Sequence, residues 1–512
     1  MSRSSRLEPL MDRGTVDSLS YYLPELVLVA TIVIVWLLDL VEKKKELLGN
    51  IALVGSAVSF VCSALLWGWG EGWIFDRMLI VDGFALFFKL LLGFTAFAVI
   101  WMSLDSNEIR ESSEGEYYGL LLCGTLAMYT MPSAANLLMA YLGLEFLSLV
   151  SYILTGYARH SRRSGEAALK YLIYGGVASG AMIYGMSWIF GLTGSLDYVE
   201  INRALFAAEP ANQMATFIAL VLVLAGFGYK ISAVPFHMWA PDAYEGAPIP
   251  VTTFLAVGSK AAGFSLAIRF FFPGISRLAD DGTWTYIDGV GWPQLLLVIS
   301  MVTMTLGNLA AINQQNVKRL LAYSSIAHAG YLLMGFVVLT DEGLRAMLFY
   351  LVAYYLMNLG AFLVVMIVAN ATGREDLEGY RGLAWRGGIF PATAMAIFLF
   401  SLTGLPPFVG FIGKFYLFAA VVKEHFYVLA IVGVLNSVVS LYYYARIVRT
   451  MFLDLPHPDD PPVQIGPEGR WWERVVSVQM LTGVFAVFTL VFGIYWAPII
   501  DFADQSIRFF RG

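Results

Sequence analysis

Charged residues are scarce in this sequence, and cysteine and histidine are scarcer still. Asp, Glu, Lys and Arg make up 14% of its 512 residues, whereas about 25% is usual for a soluble domain. The two cysteines, Cys62 and Cys123, lie in apolar runs, so we expect no disulfide framework, no thiolate metal site and no iron–sulfur cluster. The five histidines include no His-Glu-x-x-His or similar spacing, which predicts that the chain binds no metal. A net charge of -6 gives no basic surface for a nucleic acid.

Apolar residues fill the chain instead. They account for 58% of the sequence even before the 48 glycines are counted, which excludes a soluble enzyme and a disordered chain. The apolar runs are long, whereas a transmembrane barrel would show alternating segments of about 10 residues. The fold class is therefore predicted to be all-α: a polytopic membrane protein in which residues 1–512 form a single transmembrane domain.

Fourteen apolar runs are interpreted as membrane-spanning helices, which need about 20 mostly apolar residues each. The longest polar stretch, Leu453 to Arg474, is predicted to be a loop. No room remains for a soluble catalytic domain. The predicted spans are 22–41, 48–68, 80–104, 117–131, 134–157, 166–191, 213–240, 250–273, 294–312, 319–340, 343–370, 391–421, 426–452 and the C-terminal helix 474–500.

Lysine and arginine set the predicted orientation, because they are more frequent in cytoplasmic loops. With fourteen spans, both termini lie on one side. With Lys89, Lys230, Lys260 and Lys414 left out, the loops and adjacent span ends on the opposite side hold 17 basic residues, against 11 on the side of the termini. Both termini are therefore expected on the periplasmic side of a bacterial inner (plasma) membrane.

Four lysines and one glutamate are predicted to lie at membrane depth inside the apolar spans. A charge at the bilayer centre costs about 2.5–3.5 kcal/mol on insertion scales, so together they would cost on the order of 12–17 kcal/mol if they faced lipid. They must face the protein interior, water or one another. These residues are Lys89, Glu145, Lys230, Lys260 and Lys414.

Two interpretations of these charges remain open from the residues alone. Each charge could belong to a structural ion pair that holds helices together. Alternatively they could carry protons, since burial disfavours the charged form of a lysine and a nearby glutamate restores it. The excess of lysines over glutamate, on separate helices, favours a relay. Lys89 lies ten residues into its span, where a long side chain can reach the membrane surface.

Prolines interrupt two of the spans. Pro235 lies in the seventh, and Pro406 and Pro407 lie in the twelfth. Proline frees backbone carbonyl groups, which the membrane tolerates where they line a hydrated cavity. Lys230 and Lys414 lie within one or two turns of these breaks. Helices 7 and 12 are therefore predicted to be broken beside a polar path.

The two breaks also indicate an internal repeat. Val-Pro-Phe at 234–236 and Pro-Pro-Phe at 406–408 are 172 residues apart, a distance that five spans and their loops fill. An odd number of spans inverts the second copy in the membrane, as in many transporters. We expect two inverted five-helix repeats, 117–273 with helices 4–8 and 294–452 with helices 9–13.

Two histidines are possible members of the relay. His328 lies about ten residues into the tenth span, and the ordinary pKa of histidine, about 6.5, suits a group that exchanges protons. A neutral histidine bonded to a serine would explain the same residue equally well. His237 follows Pro235 and is expected near the cytoplasmic end of the seventh span.

Several segments together resemble a known family, the antiporter-like membrane subunits of respiratory complex I, the proton-pumping NADH:quinone oxidoreductase. The resemblance covers about Asp82 to Tyr444. Within the family it points to the subunit N branch, through Gly379 to Leu383, Leu441 to Arg446, and a lysine at 414 where another branch has glutamate. The segments that carry the resemblance are 141–145, 230–248, 258–260, 316–331 and 410–416.

The resemblance implies roles for the matching residues. Glu145 and Lys230 correspond to the coupled pair of a first half-channel, Lys260 to a central relay residue, and Lys414 to a second half-channel. His328 falls where the family often places a polar relay group. The implied function is proton translocation by a non-redox subunit of a translocase, driven by quinone reduction elsewhere in the complex.

The same resemblance implies the partners of the chain. It would sit in the lipid bilayer beside other antiporter-like and small membrane subunits. NADH, FMN, iron–sulfur clusters and quinone are expected on other subunits, and no cofactor on this chain. The alternative is a cation/proton antiporter, or a membrane subunit of a related antiporter or hydrogenase complex. A third possibility is a scaffold whose buried charges are structural.

Overall fold

Helices dominate the computed structural model of the chain. The structure describes residues 14–41, 46–110, 114–207, 212–279, 283–457 and 478–511. Most of the predicted 453–474 loop and the first residues of the predicted C-terminal helix lie outside these ranges. The helices are α1 Thr15–Tyr21, α2 Leu23–Asp39, α3 Glu46–Leu65, α4 Gly83–Leu104, α5 Asn107–Arg110, α6 Glu114–Ser133, α7 Leu137–Thr155, α8 Arg162–Thr193, α9 Tyr198–Ala207, α10 Gln213–Ile231, α11 Trp239–Gly246, α12 Ile249–Thr253, α13 Lys260–Arg269, α14 Trp292–Ala311, α15 Val317–Val338, α16 Asp341–Thr372, α17 Ile389–Thr403, α18 Val409–Lys423, α19 Tyr427–Phe452, α20 Val478–Ile494, α21 Ala497–Ser506 and α22 Arg508–Arg511.

Each of the fourteen predicted spans falls on a helix or on a broken pair of helices. By length and composition, ten helices within the described ranges can cross a membrane. The pair α20 and α21, bent by 85°, would bring the number to 11. The all-α membrane fold is thus confirmed, and the count of fourteen stays a prediction.

The seventh and twelfth spans are broken, as the prolines predicted. Helix α10 ends at Ile231 and α11 begins at Trp239, with Pro235 in the connection. Helix α17 ends at Thr403 and α18 begins at Val409, with Pro406 and Pro407 between them. Each break therefore leaves the carbonyl end of a helix inside the bundle.

The centre of the bundle is formed by three spans. All residues of the most apolar part of Ile249–Gly274 are buried, against 94% in α15 and 89% in α16. Two π-helical segments, Phe254–Ser259 and Phe270–Gly274, flank α13. Such segments interrupt the regular helical hydrogen bonding and are frequent at functional sites. The most apolar parts of α3, α8, α14 and α19 are only 39% buried, so these helices lie farther from the centre.

Side-chain caps fix where several helices begin. Asn136 accepts a hydrogen bond from the Met139 amide at 2.8 Å and starts α7. Asn316 accepts one from the Arg319 amide at 3.0 Å and starts α15. Asparagine suits these positions because its side-chain oxygen satisfies an amide that the first helical turn leaves free.

Two short β-hairpins lie in connections between spans. Strands β1 Gly72–Ile74 and β2 Leu79–Val81 pair between α3 and α4, and β3 Ser276–Leu278 pairs with β4 Trp284–Tyr286. One isolated bridge joins Leu79 of β2 to Ala134, which directly follows α6. Another joins Thr283, which directly precedes β4, to Thr340, which directly precedes α16. The predicted topology puts all of these connections on the side of the termini.

Candidate functional site

Three predicted relay lysines are buried near the breaks and the central helix. Their exposed fractions are 1% for Lys230, 1% for Lys260 and 4% for Lys414. Glu145 is half-buried on α7. The bundle thus shields these lysines from lipid, as the cost of an intramembrane charge requires.

Lys230 lies at the end of α10 and points to α7. Its Nζ donates a hydrogen bond to Ser148 Oγ at 3.2 Å, and Ser148 lies three residues beyond Glu145 on the same helix. The Glu145 carboxylate acts electrostatically on the ammonium, but the two form no ion pair within the described ranges. One Glu145 oxygen, Oε1, is buried without a hydrogen bond there. The implied pair is therefore open in this structure, with a serine holding the lysine.

The side chain of Lys230 also reaches the helix that carries Lys260. A Cβ at Gly263 would lie 3.1 Å from Lys230 Cγ, so the Lys230 side chain packs closely against this glycine. Gly263 is three residues after Lys260 and shares its face of α13. Lys230 therefore packs against the face of α13 that carries Lys260, about one helical turn away.

Lys260 begins α13 directly after a π-helical segment and contacts α15. Its Nζ donates to the backbone oxygen of Ser325 at 2.7 Å and also bonds Ser325 Oγ. Tyr354 on α16 donates to the same hydroxyl at 2.7 Å. Three central helices therefore converge on one lysine through one serine.

His328 lies three residues after Ser325 on the same helix face. Its Nδ1 is 2.6 Å from Tyr350 Oη and its Nε2 is 3.4 Å from Tyr444 Oη. Its ring also lies 5.4 Å from that of Tyr354. The neutral histidine bonded to serine that the sequence allowed is not found, since both ring nitrogens face tyrosines. Electrostatically, Lys414 and Lys260 both act on this ring.

Lys414 uses a carbonyl that the second break frees. Its Nζ donates to the Thr403 oxygen at 2.9 Å and to Ser437 Oγ at 3.2 Å. Thr403 is the last residue of α17, where the helix dipole favours a positive charge. Tyr331 lies under the ammonium, 4.5 Å from ring centroid to Nζ, and its Oη is 3.1 Å from Ser437 Oγ. Tyr331 lies three residues after His328 on α15. Through Tyr331, Lys414 therefore lies close to the face of α15 that carries the histidine.

Some polar residues beyond Lys414 were missed by sequence reasoning. Asn308 Nδ2 donates to Asn436 Oδ1 at 3.2 Å, and Tyr443 donates to Asn308 Oδ1 at 2.9 Å. Asn436 precedes Ser437 in an apolar span. An asparagine inside a span was the signal available, but it identifies neither its partner nor its depth.

His237 lies apart from this line of residues. It is buried in the break between α10 and α11. Its Nδ1 has no hydrogen-bond partner in the part of the chain that the structure describes. No contact there joins it to a relay lysine, so its role stays a prediction.

Two buried ion pairs were also missed. Lys89 Nζ lies 2.7 Å from Glu25 Oε1, and both side chains are 0% exposed. Lys89 therefore does not extend to the membrane surface. Arg269 binds both oxygens of Asp82, at 2.5 and 2.8 Å, and the Pro132 carbonyl. Sequence reasoning weighed Lys89 without a partner and gave no weight to Glu25.

A charged cluster lies at the opposite end of the bundle from the β-hairpins. Asp242 on α11 is 2.9 Å from Lys170 and 2.5 Å from Arg319. Burial alone would raise the pKa of Asp242, but these two cations outweigh it and hold the pKa below its ordinary value. Glu245 adds a second carboxylate 2.9 Å from Arg319. This cluster ties α8, α11 and α15 together. Among the described residues no group of three or more His, Cys, Asp or Glu is placed to hold a metal ion.

Comparison with known proteins shows one family throughout. The family described as NADH:quinone oxidoreductase/Mrp antiporter, TM, matches residues 134–440. The NADH-quinone oxidoreductase subunit N of Anaeromyxobacter sp. (strain Fw109-5) is 42% identical over 524 aligned positions, covering 98% of this chain and 99% of that protein. The protein of the same name from Chlorobium chlorochromatii (strain CaD3) is 44% identical, covering 96% and 95%.

Solved structures share the same architecture. A chain of respiratory complex I from Thermus thermophilus is 30% identical, with a TM-score of 0.76, and covers 93% of this chain and 98% of its own length. A chain of the Mrp complex from Dietzia sp. DQ12-45-1b is 19% identical with a TM-score of 0.80, covering 95% and 97%. The latter likeness concerns the fold alone.

Proposed function

Since the chain belongs to the NADH:quinone oxidoreductase/Mrp antiporter family of membrane subunits, we propose that it translocates protons as a subunit N of NADH:quinone oxidoreductase. Glu145, Lys230, Lys260 and Lys414 form the relay, with His328 between the last two. Quinone reduction elsewhere in the complex drives it. Each of the three buried lysines bonds to hydroxyl or carbonyl oxygen, and none pairs with a carboxylate within the described ranges. This single observation carries the proposal.

The missing carboxylates matter because a structural role needs them. A buried charge is stable only when an opposite charge and further hydrogen bonds compensate the lost hydration. Arg269 has such partners in Asp82 and the Pro132 carbonyl. The three lysines instead bond to neutral groups, an environment in which a lysine readily exchanges its proton. The arrangement therefore favours proton carriers over a scaffold.

The central part of the relay is a chain of exchangeable protons. Lys260 contacts Ser325, which Tyr354 also contacts. His328 follows on the same helix, and each of its two ring nitrogens faces a tyrosine hydroxyl. Because imidazole can accept a proton at one nitrogen and release one from the other, His328 can pass protons between the side of Lys260 and that of Lys414.

The Glu145–Lys230 pair supplies the switch in this proposal. Two unit charges 4 Å apart interact by about 4 kcal/mol at an effective dielectric constant of 20. That energy corresponds to about three pKa units, enough to change whether a lysine holds its proton. Lys230 bonds Ser148 here, which corresponds to the open pair. Closing the pair would return the lysine to its charged state.

We infer that the relay is built on two inverted repeats, 117–273 and 294–452. Matching details support this. Helices α8 and α16 both have 32 residues. The cap residues Asn136 and Asn316 form equivalent bridges, to Asp197 and Asp376 respectively. Those bridges fall on opposite sides in the fourteen-span topology, as inversion requires.

The surroundings of the chain follow from the same proposal. The chain is a non-redox part of an enzyme complex, so NADH, FMN, iron–sulfur clusters and quinone belong to other subunits. Its lipid-facing and partner-facing surface includes the exposed apolar residues of α7, among them Leu142, Phe146 and Leu149. Neighbouring membrane subunits cover part of it. The membrane is the bacterial inner membrane, with the termini in the periplasm.

A cation/proton antiporter is the second candidate, because the matching family includes Mrp antiporters. Curated relatives over nearly the whole length are subunit N proteins, which favours the first candidate. Purification of the chain from its own membranes separates the two. Complex I subunit N should copurify with a hydrophilic arm that carries flavin and iron–sulfur clusters.

Substitution of two relay lysines tests the mechanism. Lys230→Ala and Lys414→Ala, separately and together, should leave the complex assembled but lower proton pumping and the coupled electron transfer. A positioned proton-transfer group contributes about 10²–10⁴-fold to rate, so we expect pumping by this subunit to fall to background. Lys423→Ala, which removes an exposed lysine bonded to Glu342 at 2.6 Å, is the control. Full pumping per electron by the assembled double variant would falsify the relay.

A further inference from the structure

The Glu25–Lys89 pair is buried but poorly bonded. Helices α2 and α4 bring the two side chains to 2.7 Å, with no exposed surface on either. Apart from this contact with each other, the Glu25 oxygens and Lys89 Nζ have no further hydrogen bond within the described ranges. By contrast, the buried guanidinium of Arg269 binds two carboxylate oxygens and a carbonyl. A pair kept only to join helices should be bonded like the second, because unsatisfied buried charge is costly.

A cavity opens one helical turn above this pair. Its volume is about 280 Å³, and it lies between the β1–β2 hairpin, the start of α4 and the C-terminal helices. Leu86 forms part of its lining and is three residues before Lys89 on α4. The exposed side chains of Gln505 and Arg508 also line it. The cavity therefore leads from the side of the termini to the turn that precedes Lys89.

The carboxylate in the wall of this cavity belongs to Glu71. Asp82 is also part of the wall, but its side chain is buried and its carboxylate is bound by Arg269. Burial, and then the charge of Asp82, raise the pKa of Glu71. Such a carboxyl group keeps its proton to a higher pH than an ordinary surface glutamate does.

On the inner side, buried polar atoms continue from the pair toward Lys260. Tyr129 Oη contacts Gly93, one turn beyond Lys89 on α4. The same region contains Tyr355 and Asn358 of α16, and Ser259, which directly precedes Lys260. Tyr129 faces Ser59 and Ser63, Tyr355 faces Thr95, and Asn358 faces Tyr354. Buried hydroxyl and amide groups are therefore concentrated in this region.

Close packing connects these groups. Thr95 on α4 lies against Gly258, since a Cβ there would be 3.2 Å from Thr95 Cγ2. Gly258 directly precedes Ser259 and Lys260. On α16, Asn358 is one turn from Tyr354, which contacts the serine that binds Lys260. Helix α4 thus reaches from the buried pair to the centre of the relay.

We propose that Glu25 and Lys89 form a further proton-holding site, which connects Lys260 to the cavity at the side of the termini. This inference rests on the proposed function, in which Lys260 carries protons. A proton that arrives from the Lys260 side converts the Glu25 carboxylate to a carboxylic acid. Release of that proton to the cavity restores the carboxylate, which the Lys89 ammonium stabilises. No other atom or electron is transferred.

Within the described ranges, three other titratable groups are linked electrostatically to the site. Glu25 acts electrostatically on Tyr22 and Tyr129, and Cys62 also acts on Tyr129. These side chains come from α2, α3, α6 and the residue before α2. Glu25 is therefore the group of this set that can change its charge by releasing an acidic proton, because tyrosine and cysteine are much weaker acids.

The charge-neutral double variant separates a proton site from a structural pair. Glu25→Gln with Lys89→Met removes both charges and keeps similar volumes, so the complex should assemble even if either single variant does not. We expect the assembled double variant to lose pumped protons per electron. Glu342→Gln with Lys423→Met, which neutralises an exposed pair, should keep the wild-type ratio. A wild-type ratio in Glu25→Gln/Lys89→Met would show that the pair is structural.

A labelling experiment tests the cavity without measuring activity. In the assembled complex, with Cys62 and Cys123 of this chain replaced by serine, Leu86→Cys should react with a membrane-impermeant thiol reagent from the side of the termini. Leu92→Cys, on the same helix but fully buried, should stay unreactive. An unreactive Leu86→Cys would overturn the proposed access.

The same measurements distinguish this inference from the function on which it rests. If Lys414→Ala abolishes pumping and Glu25→Gln/Lys89→Met does not, only the further site is wrong. If Lys414→Ala pumps normally, the relay itself is wrong, whatever the pair does.

Discussion

At the scale of single residues, the proposed relay depends on lysines that contact neutral oxygen atoms. Lys230 contacts Ser148, Lys260 contacts Ser325, and Lys414 contacts Thr403 and Ser437. Each position needs a side chain that can be charged at one moment and neutral at another. Substitutions that keep the charge but prevent proton release therefore test whether a lysine carries protons.

Lys230→Arg should impair pumping although it keeps the positive charge. Arginine stays protonated throughout the accessible pH range, so it can hold a charge at this position but not release a proton. Proton uptake by vesicles that contain the assembled complex measures the effect. We expect a loss as large as that of Lys230→Ala, with Lys423→Arg unaffected. Normal pumping by Lys230→Arg would show that only the charge at this position is needed.

His328→Phe should interrupt the passage between Lys260 and Lys414. Phenylalanine keeps an aromatic ring but removes both nitrogens, which face Tyr350 and Tyr444. Leaving a buried hydroxyl without its partner costs about 1–3 kcal/mol, so thermal stability should fall modestly while pumping falls strongly. Tyr350→Phe is the informative companion, because it removes the same contact and keeps the imidazole. Unchanged pumping in His328→Phe would remove the histidine from the relay.

At the scale of helices, the breaks and the charged cluster of α11 perform different tasks. The break after α17 presents the Thr403 carbonyl to Lys414. The break after α10 lets α11 turn away, so that Asp242 reaches Lys170 and Arg319. In the proposed relay, the break after α17 serves proton transfer, whereas the break after α10 also fixes helices α8, α11 and α15 at their ends.

Asp242→Asn should weaken this attachment in a pH-dependent way. The pKa of Asp242 is lowered in the folded protein, where Lys170 and Arg319 outweigh the effect of burial. Its stabilising contribution is thus present above the unfolded pKa, about 3.9, and is lost as pH falls through the lower folded value. Thermal unfolding at pH 7 should show that Asp242→Asn lowers the free energy of unfolding by about 1 kcal/mol. A fully exposed ion pair would contribute less. The difference should shrink below about pH 4, and the exposed Asp288→Asn should show none.

At the scale of the whole molecule, the connections are consistent with an up-and-down bundle. Bridges join Leu79 to Ala134 and Thr283 to Thr340, connections that the predicted topology places together. The bridge from Asn316 to Asp376 joins two connections on the opposite side. These contacts agree with alternation of the spans, while the side on which the termini lie remains a prediction.

Cysteine labelling in intact cells and in inverted membranes determines that side. Cysteines introduced at Ser4 and Arg162 should be labelled from opposite faces, with Ser4→Cys reacting from the periplasm. The physical reason is the bias of lysine and arginine toward cytoplasmic loops, here 17 against 11. Labelling of both positions from one face would contradict the fourteen-span topology.

The sequence by itself determined that the chain folds in a lipid membrane and that charges inside its spans must be buried in the protein. Apolar runs required a membrane fold, and the breaks at Pro235 and Pro406 followed from the chemistry of proline. The burial of Lys230, Lys260 and Lys414 followed from the cost of a charge in lipid. These properties are local, because each depends on a residue and its neighbours along one helix.

Only the tertiary structure decided which side chains meet. Arg269 and Asp82 are separated by 187 positions, and Tyr444 and His328 by 116. Lys89 acquired a partner, Glu25, that no local pattern links to it. Helical periodicity specifies which face of a helix is buried, but not which face of another helix packs against it. Partners across the bundle are therefore fixed by helix packing and the satisfaction of buried polar groups, which depend on the whole chain at once.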